Sequence, residues 1–305
     1  MPSRPILRTL ATIFLIAASA VFTSAEAQNL PQTSTTGSVV TTAHVRAELV
    51  AQAPDGVAPG QPFWVGLRIE HQPEWHTYWK NSGDSGLPTE LAWTLPAGID
   101  AGEIAWPLPR KIRIGSLVNY GYEGTLLLPV PLTVSQQYRP PRVDGLGNGG
   151  AVVEVRLQAA WLVCRKECIP EEGSFALQVP VRGSTALHHA DFDAALAAQP
   201  QPLAAEGAQV RVDGQRLALR VPGLPAAAQG QRLDLFPETP EVIDNDAAQG
   251  SGWPQQWQDG VWTAEVPLSP QRTDSPQTLP LVLAVRGAGA QAAAWRVVAP
   301  VDGPW

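Results

Sequence analysis

Two runs of strict two-residue alternation mirror each other across residues 164–168, and an antiparallel hairpin is the element that accommodates both. Val153, Val155, Leu157, Ala159, Trp161 and Val163 alternate with Glu154, Arg156, Gln158 and Ala160; beyond the tip, Phe175, Leu177, Val179 and Val181 alternate with Ser174, Ala176 and Gln178. That period belongs to strands with one face in a core, and Pro170 and Gly173 act as breakers near the tip. The tip carries Cys164 and Cys168, the two cysteines of the chain. A disulfide needs Cβ atoms about 3.5–4.5 Å apart, whereas helical i,i+4 neighbours sit roughly 5–6 Å apart, so a bridge here requires a tight non-helical loop.

The N-terminus reads as a cleaved signal peptide over residues 1–27. Arg4 and Arg8 supply a positive start, Leu10 to Phe22 an apolar run and Ala25-Glu26-Ala27 a small-x-small cleavage site. The apolar run is shorter than the ~18–20 residues of a spanning helix. The mature chain is expected to begin near Gln28 in an oxidising compartment, most simply the bacterial periplasm, where disulfides persist. No later stretch is long and apolar enough to cross a bilayer as a helix, so a soluble chain is expected. A formal charge of −7 without a basic cluster argues against nucleic acid and against an anionic membrane surface.

Thirty prolines and 27 glycines against one methionine suit many short strands joined by turns. Residues 28–41, rich in Gln, Thr and Ser, read as a flexible lead-in. Alternation at Val45 to Ala51 and Phe63 to Ile69, with shorter strands expected near Thr89 to Leu95, Ile104 to Trp106, Arg113 to Val118 and Thr125 to Val134, gives about seven or eight strands with the cysteine hairpin. Residues 42–183 are therefore expected to form an immunoglobulin-like domain without the usual inter-sheet disulfide. Residues 184–206 read as a short helix, capped by Ser184 and carrying Leu187, Phe192 and Ala195, followed by a linker. Hairpin patterns at Asp213-Gly214 and Asp259-Gly260 extend the strands through residues 207–305. The expected class is all-β: two immunoglobulin-like β-sandwich domains joined by a short helix and linker. The second domain has neither cysteine nor histidine, which assigns it a structural or partner-presenting role.

Three stretches carry candidate chemistry. Closing so short a loop as 164–168 stabilises by only about 2 kcal/mol, against ~4–5 for a 100-residue loop, so the pair makes a poor staple. Short exposed disulfides tend to exchange. Arg165 and Lys166 favour a thiolate, while Glu167, Glu171 and Glu172 oppose one. Redox exchange, a structural clip and a metal site all remain open, the last the weakest because two thiols without nearby histidines make a poor zinc site. The second stretch, Glu74 to Pro88, reads as a rigid aromatic loop whose His76 or Asp84 is available for proton handling, with Tyr78 in its aromatic cluster; the bland alternative makes His76 an interior hydrogen-bonding residue and Asp84 a turn cap. In the third, Asn119 to Gly124, Tyr120 and Tyr122 are candidates to line a groove and Glu123 to accept a proton, or else the stretch is a glycine-bounded aromatic turn. No copper-binding methionine or histidine cluster, hydrolase elbow or phosphate loop is present in the sequence.

Taken in order, Trp75-His-Thr-Tyr-Trp-Lys-Asn-Ser-Gly-Asp-Ser-Gly-Leu-Pro88, Tyr120-Gly-Tyr-Glu-Gly124 and Trp161-Leu-Val-Cys-Arg-Lys-Glu-Cys-Ile-Pro170 resemble the N-terminal periplasmic region of DsbD-like protein-disulfide reductases, particularly the ScsB branch. The resemblance implies an immunoglobulin-like region whose cysteine pair, by position Cys164 and Cys168, accepts electrons from a membrane-embedded DsbD-like donor. It passes them to periplasmic thioredoxin-fold disulfide isomerases or reductases, with no bound cofactor and no metal. Cys164, ending a strand, is the expected attacker and Cys168 the resolving thiol; His76, Tyr78, Asp84, Tyr120, Tyr122 and Glu123 are the expected supporting residues. Family members usually continue into a multi-helix membrane domain and a thioredoxin-like domain, whereas this chain ends at Trp305. The donor is therefore expected on a separate polypeptide or on a continuation of the chain. The rival expectation is a non-catalytic periplasmic binding or assembly module with a structural disulfide.

Overall fold

The computed structural model describes residues 37–139, 151–246, 253–285, 287 and 292–305. The signal peptide expected over residues 1–27, and the lead-in up to residue 36, lie outside them. Strands β1 (Val39–Thr41), β2 (Val45–Gln52), β3 (Phe63–His71), β4 (His76–Gly83), β5 (Glu90–Thr94), β6 (Ile99–Ala101), β7 (Arg110–Ile114), β8 (Leu117–Glu123), β9 (Thr125–Val134), β10 (Val152–Cys164) and β11 (Cys168–Pro180) come first. Helix α1 (His189–Ala197) follows, and then β12 (Gln201–Pro202), β13 (Gln209–Asp213), β14 (Arg216–Val221), β15 (Leu233–Pro237), β16 (Gln255–Gln258), β17 (Val261–Pro267), β18 (Thr278–Val285) and β19 (Ala294–Asp302).

The first eleven strands make two facing sheets. One runs β1-β2-β3-β9-β6; the other runs β11-β10-β4-β8-β7, with β5 also paired to β10. The alternation seen in the sequence is what closes them. Val45, Ala47 and Leu49 of β2 and Val65 and Leu67 of β3 share one core with Val155 and Trp161 of β10. Each such aliphatic side chain contributes about 1.5–3 kcal/mol on burial. Val50, which breaks the alternation of β2, is also buried, because α1 covers that outer face and packs Phe192 and Ala195 against Val50 and Leu127.

Strands β12 to β19 form one further sheet, ordered β15-β18-β19-β13-β14-β17-β16 with β12 beside β19. It curls around its own core, which includes Val210, Leu219, Leu235, Trp253, Trp262 and Val297. The described residues are thus nearly all-β, with α1 and a helical turn at residues 245–246, and the sheets are curled in the immunoglobulin-like manner. The C-terminal sheet also docks onto β4 and β8: Trp79, Tyr120 and Phe236 meet edge to face at 5.1–6.4 Å. Lys80 and Arg296 both reach the Glu238 carboxylate, Lys80 at 2.8 Å. Burial pushes that carboxyl up, but the hydrogen bonds from Arg296 and Lys80 outweigh it and hold it below its ordinary range.

Several local expectations change. The stretch expected as an aromatic loop is mostly strand β4, whose polar residues hid the pattern; buried Asn81 is satisfied by donating to the Pro237 carbonyl at 2.8 Å. The expected Asn119–Gly124 turn is mostly β8, and Gly121 is required there because a Cβ would lie 2.2 Å from the Thr77 carbonyl oxygen of β4. Residues 104–106 are not a strand, and β6 lies just before them. Helix α1 begins five residues after Ser184, at His189, with His188 at its N-cap and no side-chain cap bond. Leu187, expected on its apolar face, is 91% exposed, while Phe192 carries the contact instead.

The cysteine hairpin as candidate functional site

Strands β10 and β11 pair in unbroken register from Val152↔Pro180 to Cys164↔Cys168, leaving Arg165, Lys166 and Glu167 as the tip. The two Cα atoms lie 4.2 Å apart and the sulfurs are bonded. Their environments differ sharply. Cys164 is 1% exposed, whereas Cys168 faces solvent with the three tip residues. Cys168 is therefore the exposed residue of the pair.

Beneath the pair lies β4. His76 is the register partner of Cys164 on one side and of Glu123 on the other. It is buried, its Nε2 has no hydrogen-bond partner among the described residues, and its ring meets Tyr78 edge-on at 5.2 Å. Burial, with a smaller contribution from His71, depresses it to about 4, so at neutral pH it is an uncharged imidazole. The buried Tyr78 places its hydroxyl 3.4 Å from Cys168 Sγ. A disulfide sulfur carries no hydrogen, so the phenol is the donor. Burial pushes Tyr78 up to about 12, against a smaller opposite effect of a hydrogen bond with Ser85, which keeps the proton on the phenol. In the reduced protein that proton is placed to donate to a Cys168 thiolate, a charge-assisted bond that favours the ionised form.

The hairpin is fastened from its other side by residues remote in sequence. Glu171 accepts from Thr42 Oγ1 at 2.9 Å and Trp161 Nε1 at 3.1 Å, and lies 2.6 Å from His44 Nδ1. His44 packs on Trp75 at 4.1 Å, and Arg165 lies over the same indole at 5.5 Å while pairing with Glu74 at 3.1 Å. Of the acidic residues near the tip, Glu171 is thus consumed by the scaffold, and Glu74 partly neutralises Arg165.

The comparisons can be set against this geometry. Residues 46–180 match the family described as thiol:disulfide interchange protein DsbD, N-terminal. Over that stretch the chain resembles a DsbD N-terminal domain. The crystal structure of the N-terminal periplasmic domain of ScsB from Proteus mirabilis superposes with a TM-score of 0.59 at 14% identity, covering 86% of this chain and 97% of that one, which shows a shared fold. A conserved domain protein from Bacillus anthracis aligns over 89% of this chain and 90% of that one at 10% identity, with a TM-score of 0.23, too low to carry an argument. No curated protein sequence matches the chain. This match and the bonded cysteine pair support a relation to thiol–disulfide exchange proteins.

Within this DsbD-type domain the sequence candidates separate. Cys164, Cys168, His76 and Tyr78 converge at the hairpin tip. Asp84 instead caps strand β8, accepting from the Val118 amide at 2.7 Å, and receives Asn245 Nδ2 at 2.7 Å. Tyr120 is fully buried and donates to Asn245 Oδ1 at 2.6 Å, away from any groove; Tyr122 is largely buried and donates to the Pro107 carbonyl at 2.7 Å, with its edge on a cleft. Burial pushes both phenols well up. Glu123 is exposed at the end of β8, beside a cleft of about 280 Å³ that Tyr122, Leu127 and Ala195 also line. Sequence reasoning missed Asn245, Glu171 as an anchor, the Glu74–Arg165 pair and the close approach at Gly86. In the last, a positive φ of 98° and a space in which a Cβ would meet the Tyr78 ring at 2.2 Å both demand glycine. The glycine cluster at residues 83–86 was the available signal for a close approach.

Among the described residues, no helix is long and apolar enough to cross a membrane.

Proposed function

We propose that this chain is a periplasmic electron relay, with residues 42–183 as the exchanging domain and residues 207–305 as its support. The observation that carries this reading is the asymmetry of the pair: an exposed Cys168 beside a protonated phenol, backed by a buried Cys164. The reduced Cys168 thiolate attacks a partner disulfide; that S–S bond breaks, one partner thiolate leaves and a mixed disulfide forms. Cys164, as thiolate, then attacks Cys168 Sγ, releasing the second partner thiolate and regenerating the internal disulfide, so two electrons reach the partner. This reverses the order expected from the sequence, in which Cys164 attacked first. Burial is the reason: a sulfur 1% exposed is reached by its neighbour but not by a second protein.

The partners that fit are thioredoxin-fold disulfide isomerases or reductases on the accepting side and a membrane-embedded DsbD-like donor on the other. Exchange through free sulfurs needs no cofactor. The family match and the ScsB fold support the reading, as does the signal peptide expected from residues 1–27. Trapping tests it. Cys164→Ser, mixed with an oxidised thioredoxin-fold partner, is expected to accumulate a mixed disulfide on nonreducing gels, and Cys168→Ser to accumulate none. No adduct with either variant would favour the structural-disulfide alternative.

A further inference from the structure

The end of β4 and the segment that follows it are held at two points by the end of β15 and the connection after it, both belonging to the C-terminal sheet's half of the chain. Asn81, at the end of β4, donates to the carbonyls of Pro237 and Thr239 at 2.8 and 3.3 Å. Three residues later Asp84 receives Asn245 Nδ2, and the same Asn245 uses its Oδ1 to accept from Tyr120, so both ends of a 4%-exposed amide are spent on the first two sheets. Ser85 follows, its amide and hydroxyl both donating to Asn119 Oδ1 at 3.1 Å. Next comes Gly86, lying against the Tyr78 ring with its carbonyl accepting from Ser82 Oγ at 2.9 Å, and then Pro88, bridged to the Tyr78 backbone. Tyr78 in turn ends on Cys168. The contacts thus run unbroken from the C-terminal sheet to the exposed sulfur.

We propose that the C-terminal sheet sets the reactivity of the cysteine pair, with Asn245 as a positioning residue that holds residues 84–88 closed over Tyr78 and so keeps the phenol on Cys168. Removing the amide leaves the buried Tyr120 hydroxyl without its acceptor and Asp84 without its tie to the C-terminal sheet. The strap carrying Gly86 then loosens, Tyr78 loses its cover, and the Cys168 thiolate loses an oriented donor. The biological meaning rests on the exchange role proposed above, but the coupling itself is measurable without any partner.

The experiment uses the full chain carrying Cys164→Ser, in which Cys168 is the single thiol, and reads the pH midpoint of its alkylation by iodoacetamide. Asn245→Ala is expected to raise that midpoint by about one pH unit, the scale of one hydrogen bond to a charged group. Tyr78→Phe should raise it as much, and the two together no further. Arg165, Lys166 and Glu167 at the tip, Glu74 beside Arg165, and His76 under the pair are unaltered throughout. The exchanged pair, Asp84→Asn with Asn245→Asp, can restore every hydrogen bond, with donor and acceptor reversed only between residues 84 and 245, and is expected back at the parent midpoint, whereas Asn245→Asp alone is not. Should Asn245→Ala fail to fold, these last two variants decide. An unchanged midpoint in folded Asn245→Ala, additive shifts with Tyr78→Phe, or an exchanged pair no better than Asn245→Asp would overturn the proposal. A failed partner trap with shifted midpoints would instead sink the exchange role and leave the coupling standing.

Discussion

Hairpins β10–β11 and β13–β14 follow the same rule of alternation, yet their tips have different surroundings. At the Asp213↔Arg216 end of β13–β14, a Cβ added to Gly214 would meet nothing within 4 Å, and the nearby Arg211–Asp213 pair is exposed at 3.6 Å. The Cys164↔Cys168 end of β10–β11 is met from several sides by residues roughly 80–130 positions away in sequence: Tyr78, His76, Glu74, Trp75 and His44. The difference teaches that a hairpin becomes a site when sequence-remote groups fix the environment of its tip. The β13–β14 turn also has a remote contact, the Gln215 carbonyl accepting from the Leu268 amide at 2.9 Å, but that contact is between backbones and fixes no reactive side chain.

The sharpest way to break that comparison is to add one methyl near each tip. Gly86→Ala forces a positive-φ alanine against the Tyr78 ring, and roughly 1–2 kcal/mol of backbone strain plus 1–3 of overpacking give an expected loss of about 4 kcal/mol, read by chemical denaturation. Gly214→Ala, with the backbone strain and nothing to strike, should cost about 1 kcal/mol. Equal losses at the two positions would remove the distinction.

Acid gives the next largest effect. His76 titrates near 6.5 when unfolded and about 4 when folded, so the folded state binds fewer protons across that interval. Its contribution is complete above pH 6.5, is lost as pH falls toward 4, and amounts to about 3 kcal/mol. His71, depressed mainly by burial and partly restored by the Gly124 carbonyl, acts in the same direction. Unfolding free energies measured from pH 7 to 4 should fall less in His76→Phe than in the parent. Parallel curves would show that the imidazole is not held neutral. Smallest is the tip ion pair: Arg165→Ala should change stability by less than about 1 kcal/mol, because both partners are exposed.

How much of this was legible in the sequence follows from which contacts are local. The alternation from Val153 to Val163 and from Phe175 to Val179 carried the hairpin, its register and the position of the cysteines, since strand periodicity depends on neighbours alone. The Phe63 to Ile69 strand was legible for the same reason. Strand β4 was not, because Thr77 and Asn81 are polar and buried, and the Pro237 carbonyl that satisfies Asn81 lies 156 residues away. Nor was which cysteine lies open. Cys164 ends one strand and Cys168 begins the next, and only the folded packing leaves Cys168 open and Cys164 covered. Asp84 and Tyr120 were singled out for chemistry because polar groups among aromatics and glycines suggest a site, and they do mark an uncommon place. Their partner, Asn245, lies in the connection between β15 and β16, in a region where the sequence showed nothing chemical.

The most direct test of whether the β10–β11 tip is a reacting site is the reduction potential of the Cys164–Cys168 pair, measured by equilibrating the full chain with glutathione or dithiothreitol redox buffers. A relay requires a potential more oxidising than about −300 mV, and that is the result expected here; a value well below it would make the pair a structural bridge and contradict the account.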